Sequence, residues 1–178
     1  MPKKAGKGLM QKAAHMVRRK AMDPGGDPYL NKEAPKDMAL CKRCGAVYHE
    51  KRWYKREDLP EKLENKPNTD LVFCPGCQKL RDKYPGGYLT IEGSFVEEHG
   101  DEIVRLIENK EDRQIYINPL EKVMDIRRRD GRIEVETTTD KLAQRIGLII
   151  QKAFNGEITY KWSTDNRIAR IVWRRDDT

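Results

Sequence analysis

Cys41-Lys42-Arg43-Cys44-Gly45 and Cys74-Pro75-Gly76-Cys77-Gln78, with 29 residues between Cys44 and Cys74, hold every cysteine of this 178-residue chain. Each CxxC pair sets two thiolates on one tight turn, the spacing with which a single ion is gripped from one side, and Gly45, Pro75 and Gly76 supply the turn residues. Unrelated thiols would be scattered, and no signal peptide is read that would direct the chain to a disulfide-forming compartment. The prediction is a closed tetrathiolate metal site made of Cys41, Cys44, Cys74 and Cys77.

The residues around the pairs bear on the metal. The interval resembles that of rubredoxins, as does Cys44-Gly45-Ala46-Val47-Tyr48, so iron stands as the alternative. Against it, Gln78 replaces the glycine expected of that family, and Arg52 to Asn68 (RWYKREDLPEKLENKPN) is a charged, proline-punctuated insertion that offers an iron centre no apolar shield. Zinc tolerates solvent and has no redox chemistry to protect, so Zn2+ is the expected ion.

Charge is distributed unevenly outward from this module. The chain carries +7, and residues 1–20 contain seven cations, Lys3, Lys4, Lys7, Lys12, Arg18, Arg19 and Lys20, without one acid. The other 158 residues are formally neutral. A basic arm of this kind reaches into phosphate-lined grooves, which points to nucleic acid. Leu9, Met10, Ala13, Met16, Val17 and Ala21 recur near helical spacing along it, and Asp23-Pro24-Gly25-Gly26 ends any helix. Its apolar side lacks a Trp or Phe anchor, so no membrane role is expected.

The organisation that follows is a basic arm (1–26), a linker (27–39) with Tyr29 and Leu30 as its anchor, a zinc-ribbon module (40–93), and an α+β domain (94–178). Within the module, Ala46-Val47-Tyr48 and Leu71-Val72-Phe73 flank the insertion, and a strand is read at Tyr88-Leu89-Thr90-Ile91 after the Pro85-Gly86-Gly87 turn. Arg43, Arg52 and Lys79 lie among its aromatics. Together with Trp53 they are the expected RNA contacts of the body, since rings beside cations suit unpaired bases.

In the last third, Ser94-Phe95-Val96-Glu97 fits a capping box opening a helix to about Lys110, with Phe95, His99, Ile103, Leu106 and Ile107 on its apolar side and Gly100 weakening or splitting it. Lys122 to Arg128 and Arg132 to Thr138 form a hairpin across Asp130-Gly131. Thr137-Thr138-Thr139-Asp140 caps a helix with Leu142, Ile146, Ile149, Ile150 and Ala153 on one face, ended by Asn155-Gly156. Strands with Ile158, Tyr160 and Trp162, and then Ile168 to Arg174, complete a small antiparallel sheet with a packed helix. The fold class is α+β, a four-cysteine zinc ribbon followed by that sheet.

Catalysis finds no residues. Ser94 and Ser163 stand in no nucleophile context, His15, His49 and His99 are dispersed, and four cysteines close the metal site to substrate. The chain is read as no enzyme, with no small-molecule substrate.

Cys41 to Gly45 with Tyr48 and Trp53, Cys74-Pro75-Gly76-Cys77, the Pro85-Gly86-Gly87 turn and the Thr137 to Asp140 cap together resemble a family of small prokaryotic proteins, itself similar to the export adaptors of the large ribosomal subunit (Nmd-three). The resemblance covers most of residues 40–174 and implies a ribosome or structured-RNA contact in assembly, quality control or dormancy, with ribosomal RNA and ribosomal proteins as partners. Only the four cysteines carry over residue by residue, as zinc ligands, because the adaptors hold more CxxC knuckles than this chain. A cytoplasmic, ribosome-associated RNA-binding protein is the resulting expectation, with a rubredoxin-like iron electron carrier or a zinc-dependent DNA-binding regulator as the alternatives.

Overall fold

The computed structural model describes residues 27–30, 35, 38–58, 69–163 and 168–177. The arm, with all seven of its cations, lies outside the described residues, as do residues 59–68 and the Thr164-Asp165-Asn166 turn. Among the described residues no helix is long and apolar enough to cross a membrane.

Two sheets organise the chain. The first comprises β1 (Ala39–Cys41), β2 (Val47–His49), β3 (Arg52–Tyr54) and β4 (Asp70–Val72), in the order β3-β2-β1-β4. The first knuckle is the turn between antiparallel β1 and β2, with Leu40 opposite Val47. Strand β4 runs parallel to β1 and sets Val72 opposite Cys41, which delivers the second knuckle to the first. The insertion is thus structured where it begins, since Arg52–Tyr54 is a strand and Arg56–Asp58 a 3-10 turn.

Helix α1 (Pro75–Asp82) grows out of the second knuckle and was not read from the sequence. Its start is nonetheless chemically explicit. Cys74 is the N-cap, its sulfur accepting from the Cys77 amide at 3.4 Å, and Pro75 takes the first helical position, where a missing N–H costs nothing.

The second sheet has the order β6-β7-β5-β9-β8, built from β5 (Gly87–Glu92), β6 (Val123–Arg129), β7 (Arg132–Thr137), β8 (Glu157–Trp162) and β9 (Ala169–Arg174). Its strands pair antiparallel except for central β5 and β9, which are parallel. The strand read at Tyr88 to Ile91 therefore belongs to this sheet and forms its middle; a boundary at Gly93 cuts between that strand and the helix laid over it.

Two helices cover one face of this sheet, α2 (Phe95–Ile117) and α3 (Asp140–Phe154). Leu89, Ile91, Ile133, Val135, Ile171 and Trp173 meet Phe95, Ile103, Ile107, Leu142, Ile146 and Ile150 in one core, every one at most 5 % exposed. Each buried aliphatic side chain of this size contributes roughly 1.5–3 kcal/mol. The α3 face is rotated from the expected one, since Ala143 and Gly147 are buried and Ala153 is exposed. At Gly147 a β-carbon would stand 2.9 Å from Ile158 Cδ1, so the absence of a side chain lets the helix sit close to the sheet.

Helix α2 corrects three expectations. It runs to Ile117 rather than Lys110, and it continues through Gly100, whose missing side chain leaves room for the Arg128 guanidinium. Ser94 makes no capping box. Its backbone is helical, and its hydroxyl accepts the Asp177 amide at 2.9 Å, fastening the C-terminal segment instead. His99 lies flat on Phe95, ring centroids 4.1 Å apart, at the edge of the apolar face.

Candidate metal centre

Cys41, Cys44, Cys74 and Cys77 are free thiols with their sulfurs all within 4.8 Å of one another. Cys44 Sγ stands 3.7 Å from Cys74 Sγ. Four sulfurs each ~2.3 Å from a central ion occupy the corners of a tetrahedron with edges of ~3.8 Å, so this is a ligand cage of the right size. Backbone amides stiffen it: Cys74 N donates to Cys41 Sγ at 3.3 Å, and Gly45 N to Cys41 O at 2.9 Å. Cys41, Cys74 and Cys77 are buried and Cys44 is exposed. The module is a four-cysteine, zinc-ribbon-like metal-binding knot.

Without an ion the cage holds its protons unevenly. Hydrogen bonding to Cys44 pushes Cys77 up to about 12 and Cys74 strongly upward, with burial adding to both. Cys44, accepting from Cys74 and then Cys77, is driven far down, with a lesser pull from the Lys122 ammonium. Gathering four thiolates here requires a cation at the centre.

The knot is not closed by its own residues alone. Trp53, Phe73 and Leu120 pack against it, and Leu120 comes from the loop between α2 and β6. A β-carbon on Gly76 would stand 2.6 Å from the Leu120 carbonyl oxygen, so the second knuckle needs glycine at its contact with the other fold. Thr138, at the end of β7, accepts the Lys122 amide at 2.8 Å and donates to Leu120 O at 2.7 Å, pinning that loop. Sequence reading missed Leu120 and Lys122, because nothing near them in the chain marks them.

The expected RNA contacts separate. Arg43 and Arg52 are exposed, and among the described residues no carboxylate pairs with them. Trp53 is half-buried, its ring 5.3 Å from that of Tyr48. Lys79 is a correction: it is 5 % exposed, its ammonium 2.5 Å from Asp27 Oδ2 and 2.9 Å from Thr138 O. Its charge is consumed in fastening α1 and the Asp27 segment to the second sheet. Tyr29 shares that work, donating to Asp82 Oδ2 at 3.1 Å and resting 5.3 Å from Tyr84, whereas Leu30 is exposed.

The sheet boundary also redraws the charge map. Residues 38–86 contain eleven Lys and Arg against seven Asp and Glu, whereas residues 87–178 contain sixteen against eighteen. The neutral body is therefore a basic metal module joined to a slightly acidic sheet. No family model, curated protein or solved structure matches the chain.

Proposed function

We propose that this chain is a non-enzymatic RNA-binding protein whose four cysteines hold a structural Zn2+ ion. The observation that carries the reading is the set of exposed, unneutralised cations on the metal module: among the described residues Lys42, Arg43, Lys51 and Arg52 have no carboxylate partner. Lys51 and Arg52 line one cleft with Tyr48, Trp53 and Phe73, Lys42 lies over the Phe73 ring, and the arm brings seven further cations. Cations beside rings serve phosphate and unpaired base together.

Zinc is favoured over iron by the exposure of Cys44, which sets one ligand residue at the surface, where a redox-silent ion needs no shield. Four thiolates around Zn2+ form a closed, redox-silent site. The sequence resemblance to the ribosomal-subunit adaptors supports the ribosome as the place where the RNA is met.

Equilibrium binding to RNA and to purified ribosomes across a salt series tests the proposal. Deleting residues 1–20 should leave zinc content unchanged and flatten the plot of log affinity against log salt by about 3 units, the loss of about four phosphate contacts. A full-length protein that binds neither RNA nor ribosomes at low salt overturns the reading. Colour in the purified protein overturns the zinc assignment, because ferric iron held by four thiolates absorbs in the visible.

A further inference from the structure

Between the four-stranded sheet and the far end of α2 lies a cleft of about 740 Å³. That is within the ~300–1,000 Å³ typical of sites that enclose a small ligand or group. Its contents are sorted by chemistry. Tyr48, Trp53 and Phe73 form an aromatic wall, with the carboxamide-bearing Gln114, 2 % exposed, among the residues that line the space. The cations Lys51 and Arg52 come from the β2–β3 turn and Lys141 from the first turn of α3; all three are exposed and, among the described residues, unpaired with any carboxylate. Glu121 is the one carboxylate on the described lining, and it is bound to Arg145 and accepts from Asn118 Nδ2 at 3.3 Å.

The turn that presents two of these cations is strained. Glu50 and Lys51 are consecutive non-glycine residues with φ of 47° and 65°, a conformation that costs ~1–2 kcal/mol per residue. Positive φ at both positions is what a two-residue hairpin turn requires, and this turn brings Lys51 to the cleft beside Arg52.

We propose that this cleft takes one unstacked nucleotide of single-stranded RNA, its base against the Trp53 side of the aromatic wall and its flanking phosphates on Lys51, Arg52 and Lys141. This rests on the RNA-binding reading above and names where and in what form the RNA is held. Every base has a flat face, and stacking on an aromatic side chain contributes ~1–3 kcal/mol per base. A duplex keeps its bases stacked inside and cannot offer one to a cleft lined with rings. The basic arm is a poor occupant, because its seven cations would meet the cations already there.

The test uses the full chain loaded with zinc, a fluorescent single-stranded RNA octamer and the same octamer in a duplex, with metal content measured for every variant. The single strand should bind about 10-fold tighter than the duplex. Lys141→Glu should weaken single-strand binding about 5-fold, while Lys152→Glu, the same charge change at an exposed site on the same helix but off the cleft, should alter it less than about 2-fold. An octamer carrying 4-thiouridine should crosslink to residues 48–53 or 72–78.

Equal effects of the two helix variants, no preference for the single strand, or crosslinks confined to residues 1–20 would overturn the cleft while leaving RNA binding in place. The same pattern is expected if the chain's own residues 59–68 occupy the space. Loss of all RNA binding by the parent protein at low salt would overturn both readings. Because Lys141 lies on the second fold and away from the cysteines, its variant remains informative even where changes at Trp53 disturb the metal knot.

Discussion

On the uncovered face of the five-stranded sheet, Arg127 is held by Asp125 at 2.6 Å and Glu136 at 3.3 Å, and Arg132 by Glu92 at 2.8 Å. Arg174 is likewise tied to Asp176 at 2.8 Å, and on the helix side of the sheet Arg128 is tied to Asp101. On the metal module, Lys42, Arg43, Lys51 and Arg52 meet no carboxylate among the described residues. Exposed ion pairs add little to stability, about 0–1 kcal/mol each, so the difference is not one of holding the sheets together. It decides which surface keeps an electrostatic field. The sheet ties most of its arginines to carboxylates, with Arg129 and Arg170 left over, whereas the metal module pairs Lys55, Lys79 and Arg81 and leaves the cations around its first knuckle and the β2–β3 turn unneutralised.

The two regions also fold on different terms. The sheet has a large apolar core with Trp173 and seven isoleucines fully enclosed, while the core around the cysteines adds only Ala46, Trp53, Phe73 and Leu120. Metal must stand in for burial in the smaller region.

The sharpest way to break this comparison is Cys74→Ser. Loss of the ion removes on the order of 10 kcal/mol from the metal module. Hydrogen exchange should then lose protection over residues 38–54 and 70–82 and keep it in β5, β7 and β9. One equivalent of zinc still bound to that variant would contradict the four-ligand cage.

Ile146→Asp attacks the other side. Ile146 is fully buried in the centre of α3, and an unpaired carboxylate there should cost about 4 kcal/mol, read as a lower Tm with metal content unchanged. An unaltered Tm would mean that the helix face is not the core.

Acid separates the regions without mutation. Cys77 is raised to about 12 and Cys74 is raised as well, so at any lower pH both carry protons in the empty cage, and metal uptake must release at least those two. Zinc affinity should therefore fall about 100-fold for each unit of pH lost, measured by competition with a coloured chelator, before the sheet responds. A slope of less than about 10-fold per unit would show that the two protons are not displaced.

Lys79→Met probes the seam. It leaves the Asp27 carboxylate and the Thr138 carbonyl without their donor, a loss of about 2 kcal/mol. Calorimetry should resolve two unfolding transitions in place of one. A single transition at an unchanged temperature would assign the coupling of the two regions to Leu120 and Gly76 alone.

Much of this molecule is written in short stretches. The four ligands stand in the CxxC spacing because a tight turn is a local matter, and the Asp130-Gly131 hairpin and the Thr139 cap of α3 follow from backbone preferences within a few residues. Thr139 Oγ1 accepts the Leu142 amide at 3.2 Å, as its position implies. Where the local signals compete, they mislead. Ser94 has the capping-box spacing, yet its hydroxyl bonds the C-terminal Asp177, and the apolar periodicity of α3 overlooks Gly147 because a glycine has no hydrophobicity to count.

Other features depend on residues far apart in the chain. Strand β5 lies between β7 and β9, 40 or more positions away in sequence, and its membership could not be read from its own alternation, which would suit either sheet. Lys79 looks like a surface cation until Asp27 and Thr138 close on it from both sides. The sequence by itself determined that four cysteines would gather as one candidate ligand set and that a basic arm would precede an α+β body, because turns, caps and charge counts are properties of neighbouring residues. The tertiary structure alone decided which cations remain unneutralised and that rings from the metal module share a cleft with Lys141 of α3, because strand pairing and helix packing bring together residues that no local rule relates.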